Sequence, residues 1–108
     1  GAFAAHGLED RLTDRGKEIW STAVQYQTMH ALAMLAFFIF GLQHRQFKAN
    51  GLNGVFTVGI ILFSGSLYAL ALLPQYGFLG AITPFGGLSF LVGWVWAAIK
   101  LFRLRRIE

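Results

Sequence analysis

The chain has 108 residues, of which 56% are hydrophobic and 13% are charged, and it carries a formal net charge of +4. Soluble domains usually contain about 25% charged residues, so this composition excludes an ordinary water-soluble domain. The sequence contains no cysteine, which excludes disulfide bonds, thiolate metal sites and catalytic thiols.

Two long stretches of the sequence, residues 19–43 and 49–99, lack Asp, Glu, Lys and Arg altogether. A hydrocarbon core about 30 Å thick is crossed by a helix of about 20 apolar residues, because each residue adds about 1.5 Å. The first stretch is therefore long enough for one crossing and the second for two. The sequence predicts an all-α transmembrane helical bundle that forms a single domain over residues 1–108.

The chain begins with the small apolar run GAFAAHGL at 1–8, which we interpret as the tail of an earlier helix lost or truncated before Gly1. A polar segment of mixed charge follows at about 8–18 and is expected to lie at the membrane interface. The first full helix is predicted at about 20–42, because an indole such as that of Trp20 favours the interface.

The second full helix is predicted at about 52–73, after a basic turn. Pro74 ends it, because proline cannot continue the hydrogen-bond ladder and disfavours helix in the residue before it. The third helix is predicted at about 79–101. A sharper alternative start is Thr83-Pro84, since threonine caps helices and proline fits the first helical turn.

The distribution of Lys and Arg predicts how the three crossings are oriented. The N-terminal segment and the Pro74 hairpin lie on one side, and the basic turn and a basic tail at 102–108 lie on the other. Cytoplasmic segments are enriched in Lys and Arg, so the second side is expected to be cytoplasmic. The two sets are Arg11, Arg15 and Lys17 against Arg45, Lys48, Lys100, Arg103, Arg105 and Arg106. We therefore expect a multi-pass protein of a bacterial inner membrane with a cytoplasmic C-terminus.

His30 lies near the middle of the first predicted helix, where an ionisable side chain is expected to face protein rather than lipid. A hairpin in which Leu42 lies level with Asn53 brings two serines of the second helix to the depth of His30. It also brings Tyr68 level with Gln27, about one turn from His30. The tight second hairpin adds Ser89 of the third helix. The predicted polar intramembrane layer consists of His30, Gln27, Ser64, Ser66, Tyr68 and Ser89.

Two interpretations of His30 remain open from the sequence. The favoured one is a neutral histidine that is hydrogen-bonded to serine and fixes how the helices pack. The alternative is a proton carrier or a ligand. Haem or a metal needs a second ligand, and His6 and His44 are both predicted near the membrane surfaces, although a dimer would supply another His30. We therefore expect no cofactor and no metal site within a single chain.

Small residues at a spacing of four are typical of helices that approach each other closely in lipid. The second and third predicted helices both contain this pattern. Its members are Gly65, Ala69, Ser89, Gly93 and Ala97.

The basic tail indicates contacts with anionic lipid headgroups through Arg103, Arg105 and Arg106. The alternative is that these residues serve only to set the topology. Because the membrane flanks already explain the positive charge, we expect no nucleic-acid partner.

Four motifs in order resemble one known family. They are GAFAAHGL at 1–8, residues 20–33 with AVQYQ and HALA, LFSGSLY at 62–68, and TPFGG at 83–87 followed by Gly93-Trp94. The sequence resembles the small membrane-protein family called domain of unknown function 423, which is related to eukaryotic transmembrane protein 256. Ala4 is a minor departure, since the family usually has glycine there. The resemblance implies a four-helix protein whose first helix ends at 1–8, and it implies no established activity.

Three functional hypotheses follow. The first is a non-enzymatic scaffold or accessory subunit of a larger membrane assembly, with membrane lipids and a membrane protein or a second copy as partners. The second is a small transporter or a lipid- or quinone-binding protein that uses the layer around His30. An intramembrane enzyme is third, because no carboxylate is predicted within the membrane to build a catalytic site.

Overall fold

A computed structural model describes residues 12–107, and it describes the side chains of residues 12–104. Three long helices follow one another: α1 at Asp14–Gln43, α2 at Asn50–Leu72 and α3 at Thr83–Ile107, with a short 3₁₀ helix at Gly77–Ala81 before α3. All three spans are long and apolar enough to cross a membrane. The predicted all-α transmembrane bundle is confirmed.

The start of α1 corrects the prediction of a helix from about residue 20. Thr13 is the N-cap, and its side chain accepts a hydrogen bond of 2.9 Å from the Gly16 N–H, while Asp14 places an acid in the first turn. Both features stabilise a helix start. The helix of 30 residues is about 45 Å long, which exceeds a hydrocarbon core of about 30 Å. Residues 14–18 of the polar segment predicted at 8–18 therefore belong to the first turns of α1, whereas residues 1–11 and the helix expected before them lie outside the described residues.

A short turn at 44–49 connects α1 to α2, and α2 begins two residues before its predicted start. Phe47 and Ala49 are buried within this turn. Midway along α2 the helix widens into a π-turn at Ile60–Ser64, where the Gly65 N–H bonds to the Ile60 carbonyl. The helix ends before Pro74, as predicted.

The start of α3 agrees with the sharper of the two predicted starts, because the α-helix begins at Thr83 and the segment before it is 3₁₀. Its end differs from the prediction. The helix continues through Ile107 instead of ending by Leu101, so the basic tail is helical. Arg103 is exposed there, whereas the side chains of Arg105 and Arg106 lie outside the described part.

The bundle is thin, with principal extents of 54 × 27 × 16 Å. Helix α2 lies between α1 and α3, and the buried share of its apolar window is 28%, against 11% for α1 and 17% for the third span. The main core lies between α2, α3 and the first turn. Its buried members are Phe47, Ala49, Leu52, Phe56, Phe90, Ala97 and Leu104.

Candidate functional site

His30 lies on the buried side of α1 and is 2% exposed. Its Nδ1 is 2.8 Å from the carbonyl oxygen of Tyr26, and the indole Nε1–H of Trp94 donates to its Nε2 at 3.0 Å. An indole only donates, so Nε2 accepts and the proton lies on Nδ1, which donates to Tyr26. The geometry therefore defines a neutral imidazole of one tautomer that joins α1 to α3.

Aromatic rings enclose the imidazole. The Phe90 ring stacks on it with centroids 3.6 Å apart and an interplanar angle of 13°. The rings of Phe56 and Trp94 are tilted against it at 5.5 and 5.8 Å. Because both ring nitrogens are hydrogen-bonded inside this aromatic shell, a metal or haem could bind Nε2 only if Trp94 moved away.

The structure corrects the predicted partner of His30, which is Trp94 and not a serine. Ser64 instead donates to the carbonyl of Ala23 at 2.8 Å, about two helical turns before His30. Asn53, expected level with Leu42, donates from Nδ2 to the carbonyl of Met34 at 3.0 Å. The first turn folds back alongside the end of α1. Helix α2 therefore begins deeper in the bundle than in the predicted hairpin, where Leu42 lies level with Asn53.

The other two predicted serines also bond to backbone carbonyls. Ser66 Oγ lies 2.9 Å from the carbonyl oxygen of Phe63 and 2.6 Å from Thr83 Oγ1. Ser89 Oγ donates to the Val55 carbonyl at 2.8 Å. Val55 and Ser66 are about three turns apart along α2. Ser64 and Ser66 therefore lie away from the depth of His30, whereas Ser89 lies near it, since the ring of the adjacent Phe90 stacks on His30.

The side chains of Gln27 on α1 and Tyr68 on α2 meet, although Tyr68 itself lies level with Trp20 and not with Gln27 as predicted. The Tyr68 hydroxyl donates to Gln27 Oε1 at 2.5 Å, and the Tyr68 ring lies against Trp20 with centroids 4.5 Å apart. Gln27 is exposed and Tyr68 half-buried. This pair ties α1 to α2 at the edge of the bundle.

The predicted packing residues divide between the two helices. Gly93 lies directly against the Phe56 ring, where an added Cβ would be 2.7 Å from Cε1, and Ala97 is buried. Gly65 and Ala69 are corrected: Gly65 is exposed with no atom within 4 Å of an added Cβ, and Ala69 is only partly buried. Neither residue brings two of the three described helices close together.

Two glycines outside the predicted packing set, Gly59 and Gly86, make the closest helix–helix contacts among the described residues. An added Cβ on Gly59 would be 2.5 Å from the Phe90 ring, and one on Gly86 would meet the backbone of Phe63. The Gly59–Phe90 and Gly93–Phe56 contacts are reciprocal. The sequence feature that indicates these contacts is a glycine three residues after a phenylalanine on both helices. This spacing places the phenylalanine ring and the glycine on the same face of each helix.

The described residues contain no group of three or more His, Cys, Asp or Glu side chains placed to hold a metal ion. Near the end of α3, the Lys100 ammonium lies 5.2 Å from the centroid of the Trp96 ring and 5.7 Å from that of Phe47. These cation–π contacts hold one of the basic residues against the first turn.

Comparison with known proteins identifies the family. The model for "Protein of unknown function (DUF423)" matches residues 1–87. A UPF0382 membrane protein of Staphylococcus haemolyticus is 42% identical over 103 residues, covering 95% of this chain and 83% of the relative. The UPF0382 membrane protein YwdK of Bacillus subtilis is 42% identical over 109 residues (93% and 84%), and one from Haemophilus influenzae is 38% identical over 107 residues (99% and 85%). No solved structure matches. The chain belongs to the DUF423 family of membrane proteins.

Proposed function

We propose that the protein is a non-enzymatic scaffold or accessory subunit of a larger assembly in the bacterial inner membrane. Gly65 carries this proposal. It is exposed midway along α2, the most buried helix, and nothing lies within 4 Å of an added Cβ. Glycine within a helix is about 0.5–1 kcal/mol less favourable than alanine, and no contact with the described residues explains its presence here. Close approach of a further helix would explain it, and the proposal assigns that helix to a partner protein or a second copy.

The surroundings of Gly65 suit such a contact. Ala69 follows one turn later and is only partly buried, so the two residues form a small-xxx-small pair of the kind used by packed membrane helices. Large apolar side chains are exposed on the same helix at Ile61 and Leu72. A thin bundle of three helices leaves this surface uncovered by the described part of the chain.

The alternative, a transporter or a lipid- or quinone-binding site around His30, has less support. Both nitrogens of His30 bond within the chain, and its ring is stacked on Phe90. The serines expected beside it donate elsewhere. An enzymatic role has still less support, because the carboxylates within the described part are Asp14 and Glu18, both near the start of α1.

The test is affinity purification of the full chain from native membranes, followed by mass spectrometry of the intact complex. We expect the wild type to retain a defined membrane-protein partner or a second copy, and Gly65→Leu to lose it while remaining folded. Gly54→Leu is the matched control, since that site is equally open and lies on the same helix. Loss in both variants would assign a broader surface of α2, whereas a wild-type monomer without partners would contradict the proposal.

The proposed orientation has the first turn and the C-terminus in the cytoplasm. The described basic residues at that end are Arg45, Lys48, Lys100 and Arg103, which supports it. Because the sequence contains no cysteine, the purified chain from labelled whole cells reports only on a single introduced cysteine. Gln75→Cys in the second turn should react with an impermeant thiol reagent, and Gln46→Cys in the first turn should not. The reverse pattern would invert the topology.

A further inference from the structure

A cavity of about 190 Å³ lies at the end of the bundle where α1 ends and α2 begins. One wall is apolar and contains Phe38 and Leu42, both widely exposed. The rim is basic and contains Arg45 and Lys48, both exposed. The cavity is below the 300–1,000 Å³ typical of sites for drug-sized ligands, so it suits a headgroup more than a whole organic ligand.

The charges at this cavity are not neutralised by carboxylates within the described part of the chain. Asp14 and Glu18 are the acids there, and both lie at the opposite end of α1, about 40 Å from Arg45 along the helix. Lys100 adds a further positive charge nearby, beside the ring of Phe47. An anion is therefore the complementary ligand, and Arg and Lys are the usual partners of phosphate.

The arrangement along α1 is amphiphilic. Phe38 and Leu42 are four residues apart and lie on one side of α1, and Arg45, in the turn that follows α1, lines the same cavity. The apolar pair points to hydrocarbon and the basic pair to a charged headgroup at the membrane surface. We propose that this cavity binds the phosphate headgroup of an anionic glycerophospholipid, with Arg45 and Lys48 on the phosphate and an acyl chain along Phe38 and Leu42.

This lipid site is distinct from the partner surface at Gly65, so it is tested on the purified chain alone. The protein is reconstituted in nanodiscs of phosphatidylcholine with increasing phosphatidylglycerol, and retained lipid is measured by mass spectrometry of the intact complex. The variant is Arg45→Gln with Lys48→Gln. The matched control, Arg15→Gln with Lys17→Gln, removes equal charge from exposed positions at the other end of α1.

We expect the wild type and the control to retain phosphatidylglycerol over phosphatidylcholine, and the Arg45/Lys48 variant to bind it about tenfold more weakly. An equal loss in variant and control would reduce the effect to net charge and overturn the proposal. A separate titration with inorganic phosphate distinguishes the source of the anion. Phosphate binding as tight as that of a short-chain phosphatidylglycerol would assign the cavity to free phosphate and overturn the lipid site, as would the absence of lipid selectivity in the wild type. Leu42→Ser should weaken the retention of lipid and leave the binding of inorganic phosphate unchanged.

Discussion

Helix α2 contacts its two neighbours in different ways. Toward α3 it packs rings into gaps left by glycine, with Phe90 on Gly59 and Phe56 on Gly93. At the π-turn, Gly86 of α3 lies against the backbone of Phe63 on α2. Toward α3, therefore, the distance between the helices depends on the absence of Cβ atoms.

Toward α1 the contact combines ring contacts, such as Tyr26 on Phe63 and Phe37 on Phe56, with side-chain hydrogen bonds to backbone carbonyls. Asn53 donates to the Met34 carbonyl and Ser64 to the Ala23 carbonyl. His30 connects α1 directly to α3, because it accepts a hydrogen bond from Trp94. The acceptors of the Asn53 and Ser64 hydrogen bonds are backbone carbonyls that already accept a hydrogen bond within their own helix. Each of these two side chains therefore donates a second hydrogen bond to the same carbonyl oxygen.

The difference shows how two interfaces of one small bundle are held in lipid. Lipid removes the hydrophobic force between helices, so association depends on packing and hydrogen bonds. Hydrogen bonds between membrane helices average about 0.6 kcal/mol, whereas overpacking a tight contact costs about 1–3 kcal/mol or more. The α2–α3 contact should therefore be sensitive to added atoms, and the α1 contact to removed donors.

The largest effect is expected for Gly86→Ala. The added Cβ would overlap the backbone of Phe63, which cannot rotate away as a side chain can, so we expect a loss of about 3 kcal/mol in the free energy of unfolding. Equilibrium unfolding in mixed micelles with increasing dodecyl sulfate measures it. Gly65→Ala is the matched control and should be neutral or gain up to about 1 kcal/mol. Equal behaviour of the two variants would refute the close contact at the π-turn.

His30→Ala should rank second, with a loss of about 2 kcal/mol. It removes the ring that stacks on Phe90 and leaves the Trp94 N–H without its acceptor. A double-mutant cycle with Trp94→Phe isolates the hydrogen bond, and we expect a coupling energy of about 1 kcal/mol. Strictly additive losses would mean that the imidazole acts by packing alone.

The sequence was sufficient to predict the helices but not how they pack. The uncharged stretches and Pro74 predicted three helices long and apolar enough to cross a membrane, because bilayer thickness and the missing proline N–H act locally. Thr13 and Asp14 also indicate the early start of α1, whereas the interfacial preference of Trp20 indicates a later one. The depth of His30 followed from its place on α1.

The partner of His30 was not predictable in the same way. It depends on how deep α2 starts, and that is decided by a turn that buries Phe47 and folds back on α1. The π-turn at Ile60–Ser64 changes which residues of α2 face each neighbour. Neither feature has a local sequence signature, since both result from packing with the rest of the bundle.

Ser64→Ala should have a smaller effect, confined to the α1 side. It removes the bond to Ala23, and we expect a loss of about 0.6 kcal/mol, with an upper bound of about 1.7 kcal/mol. Amide hydrogen exchange measured along the chain should rise in α1 more than in α3. Ser89→Ala is the counterpart on the α2–α3 side, because it removes a bond of equal length to Val55. Exchange that rises equally in all three helices for both variants would contradict a separable α1 contact.

Asn53→Ala should have the smallest effect, within about 0.5 kcal/mol of the wild type. The Nδ2 bond to Met34 stabilises the α1 contact, but Oδ1 is buried and accepts no hydrogen bond from the residues that the structure describes. An unsatisfied buried acceptor costs about 1–3 kcal/mol, so removing the amide removes a favourable and an unfavourable contribution together. The same unfolding assay measures it. A loss above about 1.5 kcal/mol would show that Oδ1 is satisfied in the membrane, and would make Asn53 a principal attachment of α1 rather than a nearly neutral one.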